Sequence, residues 1–315
     1  MMLPIALLGL DISWDATLRN VLMGSLILGI TSGVIGVFAV LRRQSLIGDA
    51  LAHAALPGIC IMFIITGTRS SELLLIGGAI SGLVGTAILI AINRWSIVSE
   101  ESALGIILSV FFGFGILLLT RIQHSGDAAQ SGLDRFIFGQ AATILPRDVV
   151  TMAIVALVVV GSILLMFKEF KLITFDPLFA ASIGMSPGIV GALLAGLLVL
   201  TIMIGLQTVG VILMVSLLIT PAVAARQWTS SLSGMVILSG AFGMAAGVSG
   251  SIVSSLVDRL PTGPMIVIAA SIIVIFSILF APERGLVATY RSRRARARQF
   301  RRQLALADHH GVSGT

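Results

Sequence analysis

Eight stretches of this chain contain no Asp, Glu, Lys or Arg: 20–41, 50–68, 73–93, 102–120, 149–167, 177–225, 227–257 and 260–282. A helix of about 20 residues crosses a hydrocarbon layer ~30 Å thick, and every stretch is long enough. The sixth, Pro177 to Ala225, has room for two crossings, so the sequence predicts eight or nine spans. Inside lipid each backbone N–H and C=O must be satisfied within its own segment, which favours helices over open sheets. The predicted fold is therefore all-α, a polytopic transmembrane helix bundle. Composition points the same way: 57% of residues are hydrophobic and 11% charged, against roughly 25% charged in a soluble chain.

The formal charge of +6 invites a nucleic-acid reading until it is located. From Glu283 onward stand eight arginines (284, 291, 293, 294, 296, 298, 301 and 302) and two acids, a net of +6, so the remaining residues balance to zero. A basic run after the last span marks the cytoplasmic side and suits contact with anionic lipid. We read 1–283 as a transmembrane domain and 284–315 as a basic cytoplasmic tail, with no nucleic-acid partner. With nine crossings and the tail inside, the loops 41–48, 93–101, 168–187 and the one around Arg226 are inside too. They hold 14 Lys or Arg together with the tail, against 6 outside. Without the tail the two sides are equal, so the tail supplies the bias. The turn from Gly205 to Gly210 is where a crossing is most open to being a re-entrant half-helix.

Glycines recur four apart at Gly29/Gly33, Gly78/Gly82 and Gly243/Gly247, a spacing that lets helix backbones approach closely in lipid. Cys60 is the one cysteine, so neither an intrachain disulfide nor a cysteine-based zinc site is available. Nucleotide hydrolysis is excluded: a P-loop needs Gly-Lys-Ser/Thr, and the only lysines, Lys168 and Lys171, stand elsewhere. Gly184-Met185-Ser186-Pro187-Gly188 matches a nucleophile-elbow pattern but lacks the strand-to-helix context and a neighbouring histidine.

Two segments carry chemistry. Asp49 and His53 are four apart, one helical turn above each other on one face. Ionisable groups at or within a span are costly and mark function by default. Carboxylate plus imidazole suits divalent first-row metals, manganese, zinc and iron alike. Two ligands suit a transient site on a path, completed by water or another helix; the competing reading is a hydrogen-bonded pair that only stabilises its helix. Cys60, seven residues on, shares the stripe and reads as a small packed hydrophobe. The second segment is the loop 168–187, where Asp176 caps a short helix beginning at Pro177 and stopping at Gly184. Its Leu178, Phe179 and Ile183 need cover from a partner protein or the membrane surface.

Together the runs Arg43–Gly58, Glu101–Ile106, Phe175–Gly184, Val209–Ala222 and Leu260–Pro264, in this order, resemble the integral-membrane permease of the manganese/zinc/iron chelate ABC importers. The first run, with Gly48-Asp49-Ala50-Leu51-Ala52-His53-Ala54 at its centre, is the most specific, and the likeness covers about residues 15–283. The resemblance implies a permease of the ABC importer type in the cytoplasmic (inner) membrane, working as a dimer with a second copy or a paralogue. It implies an ATP-binding subunit that hydrolyses ATP, an extracytoplasmic metal-binding protein, and a transported divalent metal ion in place of any permanently bound cofactor. It further implies that Asp49 and His53 contact the ion, that Asp176, Pro177, Phe179, Ala180 and Gly184 belong to the coupling helix, and that Glu101 is a candidate path or helix-terminus acid. One departure stands out: the family often has Asp two positions before Pro261, where this chain has Arg259, with Asp258 one earlier. Gradient-driven secondary transport is the alternative, although the internal repeats that usually accompany it are not visible. An intramembrane enzyme is poorly served by a single histidine in the spans.

Overall fold

The computed structural model describes residues 16–44, 46–68, 70–124, 144–256, 260–282 and 285–287. Among them eleven helices follow in order and no strand occurs: α1 (Ala16–Leu41), α2 (Ile47–Thr66), α3 (Ser71–Trp95), α4 (Glu100–His124), α5 (Pro146–Leu165), α6 (Phe167–Phe175), α7 (Pro177–Ser182), α8 (Pro187–Thr208), α9 (Val211–Trp228), α10 (Leu232–Leu256) and α11 (Thr262–Phe280). Eight of these, α1 to α5, α8, α10 and α11, are long and apolar enough to cross a membrane. The protein is a multi-pass membrane protein, as the uncharged stretches require.

α9 is shorter, with Pro221 and Arg226 in it, yet its 18 residues reach about 27 Å. The break before it is confined to Val209–Gly210, where Gly210 takes φ 81°, and α8 runs unbroken up to that turn. At its other end Trp228 stacks on Phe276 near the close of α11, with ring centroids 6.5 Å apart. α9 therefore carries the chain from the Val209–Gly210 turn to the end where α11 closes; it is not one of the eight span-length apolar helices, and Val215 and Leu218 in its first half lie beside Gly48 at the start of α2. The loops that follow α1 and α3 and precede α8 meet at one end: Arg42, Gln44, Arg94, Glu100 and Ser186 line one cavity, and Gln44 donates a hydrogen bond to Glu100. α6 and α7 lie at this same end.

Close helix contact follows the small residues. α1 and α10 pack backbone to backbone, since a Cβ added at Gly29 would meet the Gly243 carbonyl at 2.2 Å, and one at Gly33 would meet the Ser239 carbonyl at 2.4 Å. Hydrogen bonds seal the seam, from Ser239 Oγ to the Gly33 carbonyl (2.6 Å) and from Ser251 Oγ to Ser25 Oγ (2.8 Å). Where lipid offers no hydrophobic drive, such packing and interhelical hydrogen bonds hold helices together. Gly78 and Gly82 serve the same purpose against side chains, Met203 and Val199 of α8. α2 is the most enclosed of the helices near the candidate site, wedged between α3 and α4; Ser81 of α3 donates to its Ala54 carbonyl at 2.7 Å.

The segment 168–175, read from its charges as loop, is helical in α6. Phe170 and Ile173, three apart, are its buried residues, and Phe170 meets Phe38 of α1 edge-to-face at 5.8 Å. Lys168 and Lys171 keep to the outer side. The nine residues are amphipathic, but two lysines and a glutamate in so short a run obscured that periodicity.

Candidate functional site

α2 begins at Ile47, so Asp49 occupies its first turn and His53 the second. A carboxylate in a first turn is stabilised by the helix dipole. His53 Nε2 lies 3.4 Å from Asp49 Oδ1, and the side chains are 19% and 36% exposed. The pair is thus formed, and it is half-open rather than sealed in the core. The imidazole is steadied on its other side by Phe112 of α4, edge-to-face at 4.6 Å. No sequence signal marked Phe112, which is one of many apolar residues in a run without polar punctuation. Cys60 also faces α4, with Sγ 3.9 Å from the Gly115 carbonyl, but it is fully buried and packs as a small hydrophobe. Among the described residues no group of three or more His, Cys, Asp or Glu is placed to hold a metal; Asp49 and His53 stand together as a pair of candidate donors.

Below the pair, Pro57 lies inside α2. It has no N–H to give the His53 carbonyl, and Gly58 next to it lets Gly77 of α3 approach backbone to backbone. The Ala54 carbonyl takes its extra donor from Ser81. The sequence Leu56-Pro57-Gly58 thus loosens the helix one turn beyond His53 while α3 clamps it from the side.

Glu101 is exposed in the first turn of α4. Its neighbour Glu100, which sequence reasoning passed over, is the one bonded to Gln44. The turn carrying Gln44 is a complete Schellman closure of α1: Gln44 N–H reaches the Ala39 carbonyl (3.0 Å) and Arg43 N–H the Val40 carbonyl (3.2 Å). Arg43 sits at the left-handed position normally given to glycine, with φ 60°, at a cost of about 1 kcal/mol. This turn brings Arg42 to the wall of a cavity of about 940 Å³ between the ends of α1, α3 and α8. Burial pulls the Arg42 pKa below its ordinary value while Glu100 pushes it back up; the guanidinium stays charged at neutral pH. Neither Asp49 nor His53 lines this cavity.

The second segment forms as its residues dictate. Asp176 Oδ1 accepts from the Phe179 N–H at 2.9 Å and Pro177 opens α7. The helix ends in another Schellman closure, with Met185 N–H on the Ala180 carbonyl, Gly184 N–H on the Ala181 carbonyl (both 3.1 Å) and Gly184 at φ 85°. Ala180 is the buried residue of α7, turned toward the protein. Leu178, Phe179 and Ile183 are 83%, 53% and 57% exposed, an apolar surface at the end of the bundle. Ser186 of the elbow-like pentapeptide stands in the turn between α7 and α8, with no strand before it. Arg259, Asp258 and the arginine-rich tail lie outside the described residues.

Comparison with known proteins places this geometry. The ABC 3 transport family matches residues 14–281. The zinc transport system membrane protein TroC of Treponema pallidum (strain Nichols) is 52% identical over 273 residues, 87% of this chain and 92% of that protein. The manganese transport system membrane protein MntC of Bacillus subtilis (strain 168) is 49% identical over 288 residues, 91% of this chain and 66% of that longer protein. Among solved structures, a chain of PsaBC from Streptococcus pneumoniae in complex with Fab superimposes with a TM-score of 0.76 at 32% identity, over 86% of this chain and 94% of that one. With the family match running across nearly the whole helix bundle and relatives of this identity covering most of both chains, the protein belongs to the ABC 3 transport family, as a membrane-spanning transporter subunit.

Proposed function

We propose that this chain forms the translocation path of an ATP-driven importer of divalent transition metal ions and couples it to a separate ATPase. The observation that carries the proposal is the Asp49–His53 pair, 3.4 Å apart and half-open on a membrane span. Oxygen and nitrogen donors of this kind accept manganese, zinc or iron(II); relatives named for zinc and manganese transport favour those two. The ion is cargo, held by two side chains from this protomer and completed by water or by a second permease copy, homologous or identical. A site of so few ligands releases its ion readily, as conduction requires.

The exposed apolar surface of α7 is the docking element for the ATPase, and the opposite end of the bundle receives metal from an extracytoplasmic binding protein. This orientation puts α6, α7 and the chain after α11 in the cytoplasm, with the whole in the inner membrane. Leu178 and Phe179 on the helix and Ile183 at its C-terminal cap are exposed, and covering an apolar side chain gains up to roughly 1.5–3 kcal/mol.

The test is metal uptake in cells lacking this protein. Asp49→Ala and His53→Ala are each expected to abolish uptake at undiminished membrane abundance, and wild-type uptake is expected to stop when ATP is depleted while the proton gradient is kept. Normal uptake in both variants removes the metal path from α2. Uptake that persists without ATP and collapses with the gradient replaces the ATP-driven reading by secondary transport.

A further inference from the structure

The cavity beside Arg42 has no part in the metal path or in ATPase docking as proposed above. α3 and α8 are in tight contact midway, where a Cβ on Gly82 would meet Val199 at 2.9 Å and one on Gly78 would meet Met203 at the same distance. Toward the α7 end they part: Gly196 has Leu83 at 3.7 Å, Gly191 has only Arg42 within 4 Å, and Gly188 has nothing. The result is a wedge-shaped cleft of about 940 Å³. Its buried walls include Leu89, Leu194 and Leu198, Ile90 lines it on the exposed side, and Arg42 and Arg94 stand at its polar end. Filled with water it would hold on the order of 30 molecules, at about 30 Å³ each, against a largely apolar lining.

The polar end is electrically incomplete. Glu100 is its one acid; it accepts from the neutral Gln44 amide, which cancels none of its charge, and offsets part of that of Arg42. Two arginines against one carboxylate leave a net positive charge, and among the described residues no carboxylate lies within ion-pair distance of either arginine. The polar end also lies at a definite depth. Arg94 is followed by the exposed Trp95, which ends α3, and tryptophan at the end of a span marks the level of the lipid headgroups. Two cations at headgroup depth above an apolar wedge match an anionic lipid, phosphate at the arginines and acyl chain between the helices.

We propose that the cleft between α3 and α8 is a binding site for an anionic phospholipid, with Arg42 and Arg94 holding the headgroup phosphate. Such a lipid wedges the α3–α8 pair at the end from which α7 projects, and so braces the element proposed to meet the ATPase.

The experiment is native mass spectrometry of the full chain, delipidated in detergent and then offered dioleoyl-phosphatidylglycerol, dioleoyl-phosphatidylcholine or inorganic phosphate. Phosphatidylglycerol adducts are expected to persist where phosphatidylcholine adducts do not. The paired change Arg42→Gln with Arg94→Gln is expected to lower phosphatidylglycerol retention roughly 30-fold, a factor of about five for each arginine near a headgroup. Ile90→Trp, which fills the cleft and leaves its charges alone, is expected to lower it as well, whereas Arg121→Gln at the far end of α4 leaves it unchanged. Each variant is read on its monodisperse fraction, and Ile90→Trp carries the test if the arginine pair does not yield one. Equal retention of the two lipids, or full retention in the arginine pair or in Ile90→Trp, overturns the proposal. Displacement of bound lipid by millimolar phosphate overturns it too, in favour of a small-anion site.

Discussion

Gly243→Ala is the sharpest probe of what holds this bundle together. A Cβ at position 243 would stand 2.0 Å from the Gly29 carbonyl oxygen and 2.8 Å from the carbon behind it. Ordinary contact for such an atom begins near 3.4 Å, so the two backbones must separate by roughly 1.4 Å at that level. No side chain can rotate away, because the obstacle is main chain on both sides. Overpacking of this kind costs about 1–3 kcal/mol where neighbours relax, and rigid backbone puts Gly243→Ala at the upper end. The shift also stretches the hydrogen bond from Ser239 to Gly33, 2.6 Å long and one turn away. At roughly 2–4 °C per kcal/mol for a chain of this size, the melting midpoint in detergent falls by about 6–12 °C. The control is Gly113→Ala, on a helix face with nothing within 4 Å, which is expected to leave the midpoint unchanged or slightly raised, since alanine is the better helix former. Fluorescence-detected size-exclusion after a temperature series reads both. Equal midpoints for Gly243→Ala and Gly113→Ala would refute backbone contact as the basis of the α1–α10 seam.

Phe179→Glu is expected to weaken co-purification with the ATPase roughly 30- to 150-fold, from the loss of about 2–3 kcal/mol of apolar cover, and to abolish uptake with it; full pull-down would take docking away from α7. Asp176→Ala removes the carboxylate that accepts from Phe179 N–H and should destabilise α7 locally by about 1 kcal/mol, seen as faster amide exchange at residues 179–182 with the global midpoint unmoved. Deleting Arg291 to Thr315 is expected to preserve uptake once it is normalised to membrane-inserted protein, because the residues proposed to touch metal and ATPase all precede Met185; normalised uptake at background would give the tail a regulatory or assembly role.

The kind of the spans, and their number to within one, were legible in the chain because lipid imposes a one-dimensional rule: a segment without charge and of sufficient length is helical, whatever it packs against. The caps of α7 were legible for the same local reason, since Asp176, Pro177 and Gly184 act within one or two turns of themselves. Spacing alone put Asp49 above His53. Pattern could not show that Phe112 would meet the imidazole, that Glu100 rather than Glu101 would face Gln44, or that Arg43 would fill a glycine's place and so bring Arg42 to the cleft. In an apolar run every face looks alike, and which one turns inward is decided by the neighbouring helix. The Gly29–Gly243 contact makes the same point: glycine spacing announced close packing, but only the fold chose α10 as the partner of α1. Sequence determined what each segment must be in a membrane, through local hydrogen bonding and hydration. Tertiary structure decided which segments meet, because van der Waals complementarity between distant helices is a property of pairs.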